Sequence, residues 1–347
     1  MSKLKERLLR APAWLGNKLM PGSLVLMYHR IARLPLDPFA LAVTPEHFAE
    51  HLEVLRKYSR PISLSEMARS LKDGKPLRRA VVVSFDDGYA DNLYNAKPLL
   101  ERYDVPGTVF VTTGHIGSEI EFMWDELERL LLRPGRLPET LKLQTNGSTH
   151  CWELGEAARY HEADCLSHAG WSTEKPHDPS PRHSLFRSLH SLLTPLSQSE
   201  QQRSLEQLRA WSRAEACARP THRTMTAEEV RSLSEGGLVT IGSHTVTHTV
   251  LSALTSAEQR EELEQSRVAL EEILEKPVSA FAYPFGGKSD YTEETMRLLR
   301  ETGYDCACSN FPGVVRARTD RYQLPRIGVK DCDGDELARL LRWLALG

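Results

Sequence analysis

The sequence lacks three features that would decide its class at once. It contains no run of about eighteen apolar residues, so no membrane-spanning helix is predicted. A formal net charge of −3 over 347 residues gives no sign of a nucleic-acid partner. The six cysteines follow no framework spacing, and Cys306 and Cys308 are one residue too close for a CxxC pair. These features favour a globular protein of a reducing compartment over a disulfide scaffold.

The N-terminal segment, residues 1–22, is basic but lacks the long apolar core and the cleavage pattern of a secretory signal. Leucines and Trp14 alternate with Lys and Arg, so this segment could lie on an anionic membrane surface as an amphipathic helix. An ordinary first helix packed on the domain is the alternative. We therefore expect a cytoplasmic protein, with peripheral contact at the inner face of the membrane as an open alternative.

An acidic doublet follows an apolar run in the stretch VVVSFDDGYADN, residues 81–92. A short apolar run that ends in a turn signal such as Asp-Gly is typical of a buried strand. Asp86 and Asp87 should therefore lie at the C-terminal end of that strand, where the sites of α/β folds collect. A capped turn without chemistry is the alternative reading of the doublet.

Strands alternate with helices along most of the chain, which predicts βαβ units and a largely parallel sheet. Between about 121 and 222 this alternation of strands and helices stops. An Asn-Gly turn predicts a hairpin over 141–154. Residues 169–183 are predicted to form a loop, and 184–212 a helical span. We interpret 121–222 as an insertion in one domain, 23–334. An amphipathic helix over 335–347 follows.

Two further motifs carry chemistry. His244 and His248 lie in VTIGSHTVTHT, whose β-branched residues and glycine indicate a strand that ends in a loop. Two His and one carboxylate form a common open ligand set for Zn²⁺ or Fe²⁺; two unrelated loop histidines are the alternative. The stretch FAYPFGG, 281–287, combines proline with glycines, as in a loop that aims a backbone N–H at a ligand, or in a rigid turn.

In this order and spacing, SFDDG, GSHTVTH and the Pro-aromatic-Gly loop resemble the polysaccharide deacetylase family, the NodB-homology metal-dependent carbohydrate esterases. The resemblance runs from about Leu24 to Arg326, apart from the insertion. It implies an α/β fold, a distorted (β/α) barrel with fewer than eight full units. It also implies hydrolysis of an N-acyl group on an amino sugar.

The resemblance also implies residue roles. Asp87, His244 and His248 match the metal triad of the family, Asp86 matches the general base, and Phe285 supplies the backbone N–H for the oxyanion. The metal is most simply Zn²⁺, although Co²⁺, Ni²⁺ or Fe²⁺ would fit the same ligands.

The sequence departs from the family at two positions. The arginine that commonly begins the Pro-aromatic-Gly loop is Ala282 here, and Arg326 is the candidate replacement; a surface arginine is the alternative. Many members of the family also carry a late histidine as the general acid, and this chain has no histidine after His248. His29, at the end of the first strand, is the candidate replacement, with a purely structural histidine as the alternative.

Several polar residues near the motifs have commoner structural roles. We expect Asp91 and Asn92 to cap a helix, with support of the site as the alternative. Trp124 and Asp125 are expected to pack at a helix start rather than to line the site.

These observations predict a metal-dependent hydrolase that removes an N-acetyl group from an amino sugar in cell-surface polysaccharide or glycolipid biosynthesis. The expected partner is an N-acetylated oligo- or polysaccharide or a lipid-linked sugar, and no nucleic acid. A deformylase or deacetylase of a lipid-linked sugar would use the same residues. From another class, a non-catalytic carbohydrate-binding relative stays open.

Overall fold

The computed structural model describes residues 22–75 and 77–346. Except for Gly22, the predicted amphipathic segment lies outside the described residues. Among those residues, no helix has both the length and the apolar character needed to cross a bilayer.

The centre of the described chain is a parallel sheet of eight strands. The strands are β1 (Leu24–Tyr28), β2 (Arg60–Pro61), β3 (Ala80–Phe85), β4 (Gly107–Val111), β5 (Val239–Ser243), β6 (Ala280–Ala282), β7 (Cys306–Cys308) and β8 (Ile327–Gly328). Their order in the sheet is β7-β6-β5-β4-β3-β1-β8, and β2 pairs with β3 outside this path. A short parallel pair, Arg30–Ile31 with Ala42–Val43, lies beside the sheet.

Helices connect and cover these strands. They are α1 (Pro45–Tyr58), α2 (Leu64–Lys72), α3 (Lys97–Tyr103), α4 (Met123–Leu131), α5 (Glu162–His168), α6 (Pro181–Leu193), α7 (Gln198–Ser212), α8 (Ala227–Ser234), α9 (Ser256–Leu274), α10 (Glu293–Glu301) and α11 (Gly334–Leu341). Local sequence sets many of their starts: Thr226 and Thr255 begin α8 and α9 with capping boxes that satisfy the first amides of each helix.

The side chains of strand β3 distinguish the outer face of the curled sheet from its inner face. Val83 and Phe85 pack in the cluster that joins the sheet to α1, whereas Val82 packs in a second cluster. This second cluster collects side chains from strands all around the sheet, namely Val25, Val82, Phe110, Ala282 and Cys308. Because successive strand side chains point to opposite faces, Asp86 continues the inner row of Val82. The predicted distorted (β/α) barrel is confirmed.

The region after β4 has its own hydrophobic core. The expected hairpin is present as Thr140–Thr145 paired with Ser148–Glu153, and two short strands, Gly135–Arg136 and Arg159–Tyr160, also pair. The single helical span expected over 184–212 was wrong: α6 already begins at Pro181, and Pro195 separates it from α7. Proline cannot continue a helix, and Ser197 then caps α7. The short helix α5 was not foreseen.

Candidate metal and catalytic site

The polar residues singled out by the sequence meet at the carboxyl ends of the strands. Asp86 and Asp87 follow β3, and His244 follows β5. With His29, His248 and Phe285, they line one cavity of about 360 Å³. That volume is at the lower end of the range of about 300–1,000 Å³ that is usual for small-molecule sites.

Asp86 is buried against an arginine. Arg326 donates from Nη1 to Oδ1 and from Nη2 to Oδ2 of Asp86, both at 2.7 Å, while its Nε donates to the Ser309 carbonyl at 2.8 Å. Burial raises the pKa of Asp86, but the charges of Arg326 and His244 and the hydrogen bonds from Arg326 outweigh it and lower the pKa below the ordinary value. Asp86 is therefore ionised at neutral pH. Each of its oxygens keeps a second lone pair that can accept a proton.

Asp87, His244 and His248 offer ligand atoms that lie within 4.8 Å of one another. Oδ1 of Asp87 is 3.6 Å from Nε2 of His244 and 3.4 Å from Nε2 of His248. Nδ1 of His244 contacts the carbonyl of Ala282 at 2.8 Å, which places the proton on Nδ1 and leaves the lone pair of Nε2 facing the cluster.

The protonation states of this cluster suit a divalent cation. Burial lowers the pKa of His244 to about 4, so its imidazole is neutral. Burial raises the pKa of Asp87, but the hydrogen bond of His248 and the charges of the nearby histidines, His29 included, lower it further than burial raises it. Imidazole nitrogens together with an ionised carboxylate form the donor set that Zn²⁺ and its neighbours prefer. These residues fit a metal.

The backbone is strained at three predicted site residues. Asp87, His248 and Phe285 have φ angles of 74°, 57° and 59°, in the left-handed region that side chains with a Cβ rarely adopt. Strain of this kind costs on the order of 1–3 kcal/mol per residue and is typical of functional sites. The surrounding contacts therefore hold these residues in conformations that their own preferences disfavour.

Glu262 of α9 supports the loop that carries His248, and no sequence motif pointed to this residue. Its Oε2 accepts from the amides of Val246 and Thr247 at 2.7 and 3.0 Å, and its Oε1 accepts from the Thr247 hydroxyl at 2.7 Å. The amide of His248 donates to Thr245 Oγ1 at 3.0 Å. These bonds fix the loop without touching the ligand atoms.

Phe285 lies in a tight turn in which the amide of Gly286 donates to the carbonyl of Pro284 at 2.6 Å. A Cβ on Gly286 would come within 2.8 Å of the Asn310 amide nitrogen, so only glycine fits there. Within the described residues, the Phe285 amide has no hydrogen-bond partner, and the Phe285 ring lies 5.0 Å from that of His248. The loop thus keeps an amide available beside the cluster.

Asp91 and Asn92 do not cap the helix that follows them, which corrects the expected role. Asp91 instead accepts from Arg30 at 2.9 and 3.0 Å and from the amide of Ile31 at 2.9 Å, and Asn92 donates to the His29 carbonyl at 2.9 Å. Both side chains fasten the segment after β1. They thereby hold His29 on the cavity wall.

Trp124 packs at the start of α4, as expected, but it also lines the cavity. Its indole N–H donates to the Tyr89 hydroxyl at 2.9 Å, and that hydroxyl donates to Asp125 at 2.6 Å. The Trp124 ring meets the His248 ring edge-on at 4.9 Å. The expectation that this residue stays out of the site was therefore wrong, because the turn before α4 brings it over His248.

The protein is a curled parallel barrel whose site holds an ion-paired carboxylate beside a second carboxylate and two histidines. This arrangement is typical of a hydrolase. Residues 73–137 and 198–307, together about half of the chain, match the polysaccharide deacetylase family. The chain belongs to this family. It is thus a hydrolase of the class that acts on the amide carbon–nitrogen bond of N-acetyl groups.

Individual relatives agree with this assignment. A Bacillus subtilis protein, YxkH, provisionally named a polysaccharide deacetylase, is 20% identical over 91% of this chain and 75% of its own length. The poly-beta-1,6-N-acetyl-D-glucosamine N-deacetylase of Staphylococcus epidermidis is 31% identical over 28% of this chain and 38% of its own length. The structure of the Streptococcus pyogenes deacetylase PplD aligns with a TM-score of 0.56 and 17% identity, over 94% of this chain and all of PplD. That likeness concerns the fold.

Proposed function

We propose that this protein is a metal-dependent deacetylase that removes the N-acetyl group from an amino sugar during exopolysaccharide synthesis. The observation that carries the proposal is the buried Asp86–Arg326 pair directly beside the cluster of Asp87, His244 and His248. Two neighbouring acids with different partners can take different roles.

Asp87, His244 and His248 would hold the cation, most simply Zn²⁺, with Co²⁺, Ni²⁺ and Fe²⁺ as alternatives. The chemistry that such a cation supplies when bound is Lewis-acid polarisation of a carbonyl oxygen and acidification of water. Asp86 accepts the proton of the water that attacks the acetyl carbonyl, and Arg326 keeps this carboxylate ionised and oriented.

Two further residues complete the proposed reaction. The Phe285 amide donates to the oxygen that becomes negatively charged during the attack. His29, on the wall of the same cavity, delivers a proton to the departing amine. The amide bond then breaks, acetate leaves, and the free amine stays on the sugar.

The relatives support the proposed substrate class. The staphylococcal enzymes are named for poly-beta-1,6-N-acetyl-D-glucosamine, so an N-acetylglucosamine glycan is the proposed substrate. A lipid-linked amino sugar with an acetyl or formyl group would fit the same residues. Action in the cytoplasm, or at the inner face of the membrane through the basic N-terminal residues, is part of the proposal. The chain matches only 38% of the length of the staphylococcal enzymes.

Acetate release from β-1,6-linked N-acetylglucosamine oligomers tests the proposal. Protein stripped with chelator should be inactive and should regain activity with Zn²⁺ or Co²⁺. Asp86→Asn should keep the metal and lose about 10²–10⁴-fold in rate, because it removes the base alone. Asp104→Asn, at an exposed carboxylate, is the matched control.

Unchanged turnover in Asp86→Asn would remove Asp86 from its role. If metal binds and neither acetylated nor formylated sugars are hydrolysed, free or lipid-linked, the carbohydrate-binding reading takes the place of the deacetylase.

A further inference from the structure

The insertion reaches the cavity and forms part of its wall. Glu174, in the loop before α6, and His190, on α6, line the same cavity as Asp86 and His248. On the barrel side, the wall is continued by Phe39, in the loop after β1, and by Lys330, just after β8. Residues far apart in the chain therefore enclose one side of the site.

The insertion is joined to the barrel along this wall by several contacts. Glu174 forms an ion pair with Lys330, and both side chains are about half exposed, so the pair lies at the rim of the cavity. The amide of Thr173 donates to the carbonyl of Pro38 at 2.7 Å. Below the rim, the Phe39 ring packs on His190 with a centroid distance of 4.6 Å. These contacts hold the insertion against the barrel on this side of the cavity.

The loop that carries Glu174 is itself held in place. Arg187 of α6 donates to the carbonyls of Thr173 and Lys175 at 2.6 and 3.0 Å and pairs with Asp178 at 2.8 Å. Its guanidinium lies over the Trp171 ring. The side chains of this loop are therefore ordered before any ligand binds, so ligand binding loses little further conformational entropy there.

His190 is suited to contact a neutral sugar. Its ring nitrogens have no hydrogen-bond partner among the described residues, and its ring lies on the cavity wall against Phe39. A neutral imidazole offers one donor and one acceptor, which matches the hydroxyl groups of a sugar ring.

From this wall, we propose that the pocket is closed on the insertion side, so that the protein acts on an amino sugar at a chain end or on a short glycan, and not on internal residues of a polymer. Glu174, Lys330 and His190 are the specificity-determining residues. A polymer needs a groove that is open at both ends, whereas a cavity of about 360 Å³ with one closed side receives a terminal unit. This inference rests on the proposed function.

The test compares β-1,6-linked N-acetylglucosamine oligomers of one to six units, with the position of the lost acetyl group read by mass spectrometry. The unaltered protein should deacetylate a terminal unit, and kcat/KM should change by less than about tenfold from dimer to hexamer, a difference of about 1.4 kcal/mol. The double variant Glu174→Ala/Lys330→Ala should gain internal deacetylation. His190→Phe should raise KM more than it lowers kcat.

The matched control is Arg260→Ala/Glu301→Ala, which removes an ion pair of similar exposure between α9 and α10 and should leave the product pattern unchanged. Internal deacetylation by the unaltered protein at the rate of the terminal unit would overturn the inference and leave the deacetylase function intact.

If no oligomer releases acetate, the proposed function fails. Binding measurements then test separately whether the pocket is closed on the insertion side. Calorimetric titration with monomer and hexamer should then give similar affinities. A hexamer that binds more than about tenfold more tightly than the monomer would show a groove open at both ends and refute the closed wall.

Discussion

Replacement of Arg326 by methionine should strongly destabilise the protein. The side chains of Arg326 and Asp86 are only 1% and 4% exposed, and two hydrogen bonds of 2.7 Å join them. Removal of one partner leaves a buried carboxylate without compensation, which typically costs about 3–5 kcal/mol. Against a total stability of about 5–15 kcal/mol for a typical protein, this loss should be visible at once.

Urea unfolding followed by circular dichroism measures the effect. Arg326→Met should lower the midpoint strongly, whereas the double variant Arg326→Met/Asp86→Asn should recover part of the loss, since it removes the unpaired charge. Arg326→Lys keeps the charge but not the two parallel hydrogen bonds, so its urea midpoint should lie between those of Arg326→Met and the double variant.

Activity gives an independent readout of the same pair. Because the charge and hydrogen bonds of Arg326 lower the pKa of Asp86, their loss raises that pKa, and the acidic limb of the kcat/KM profile should move to higher pH. If Arg326→Met lowers the free energy of unfolding by less than about 1 kcal/mol, the pair contributes no more than an exposed one, contrary to this prediction.

Three other perturbations follow from the structure. His248→Ala should lower bound metal well below one ion per chain, measured by mass spectrometry of the metal, since it removes one of three ligands. Glu262→Gln should weaken metal affinity about 10–100-fold while the ligands stay in place, because the amide offers one acceptor oxygen where the carboxylate offers two. His183→Phe should make the stability of the protein less sensitive to acid. Burial lowers the pKa of His183 from 6.5 to about 4, so between these pH values the unfolded chain binds a proton that the folded chain does not. The stability of the unaltered protein therefore falls as pH drops through this window.

Each of these has a clear contrary result. Stoichiometric metal in His248→Ala would exclude His248 as a ligand, and unchanged affinity in Glu262→Gln would make the support of this loop irrelevant to binding. For His183, the urea midpoint is followed from pH 7.5 to pH 4 in both proteins; parallel curves would show that another group is responsible.

Strand–helix alternation in the sequence predicts the parallel sheet, whereas the barrel was expected only from the resemblance of the motifs to the polysaccharide deacetylase family. Strand β3 could be recognised from its apolar run, and the Asp-Gly turn put both acids at its end. Local patterns likewise predict that the strand before His244 and His248 ends in a loop, and the structure places their ligand atoms around Asp87. These features could be predicted because strand propensity and turn chemistry act over a few neighbouring residues.

The distant residues that join the site become visible only in the folded chain. Arg326 is 240 positions from Asp86, and the sequence offered it only as one candidate beside a surface position. Glu174 and His190 had no recognisable motif, and Asp91 looked like a helix cap. Their roles depend on how the barrel closes and on where the insertion docks, and both are fixed by packing between segments far apart in the chain. Local patterns cannot encode such contacts, because a side chain at one position finds its partner only after the strands are aligned.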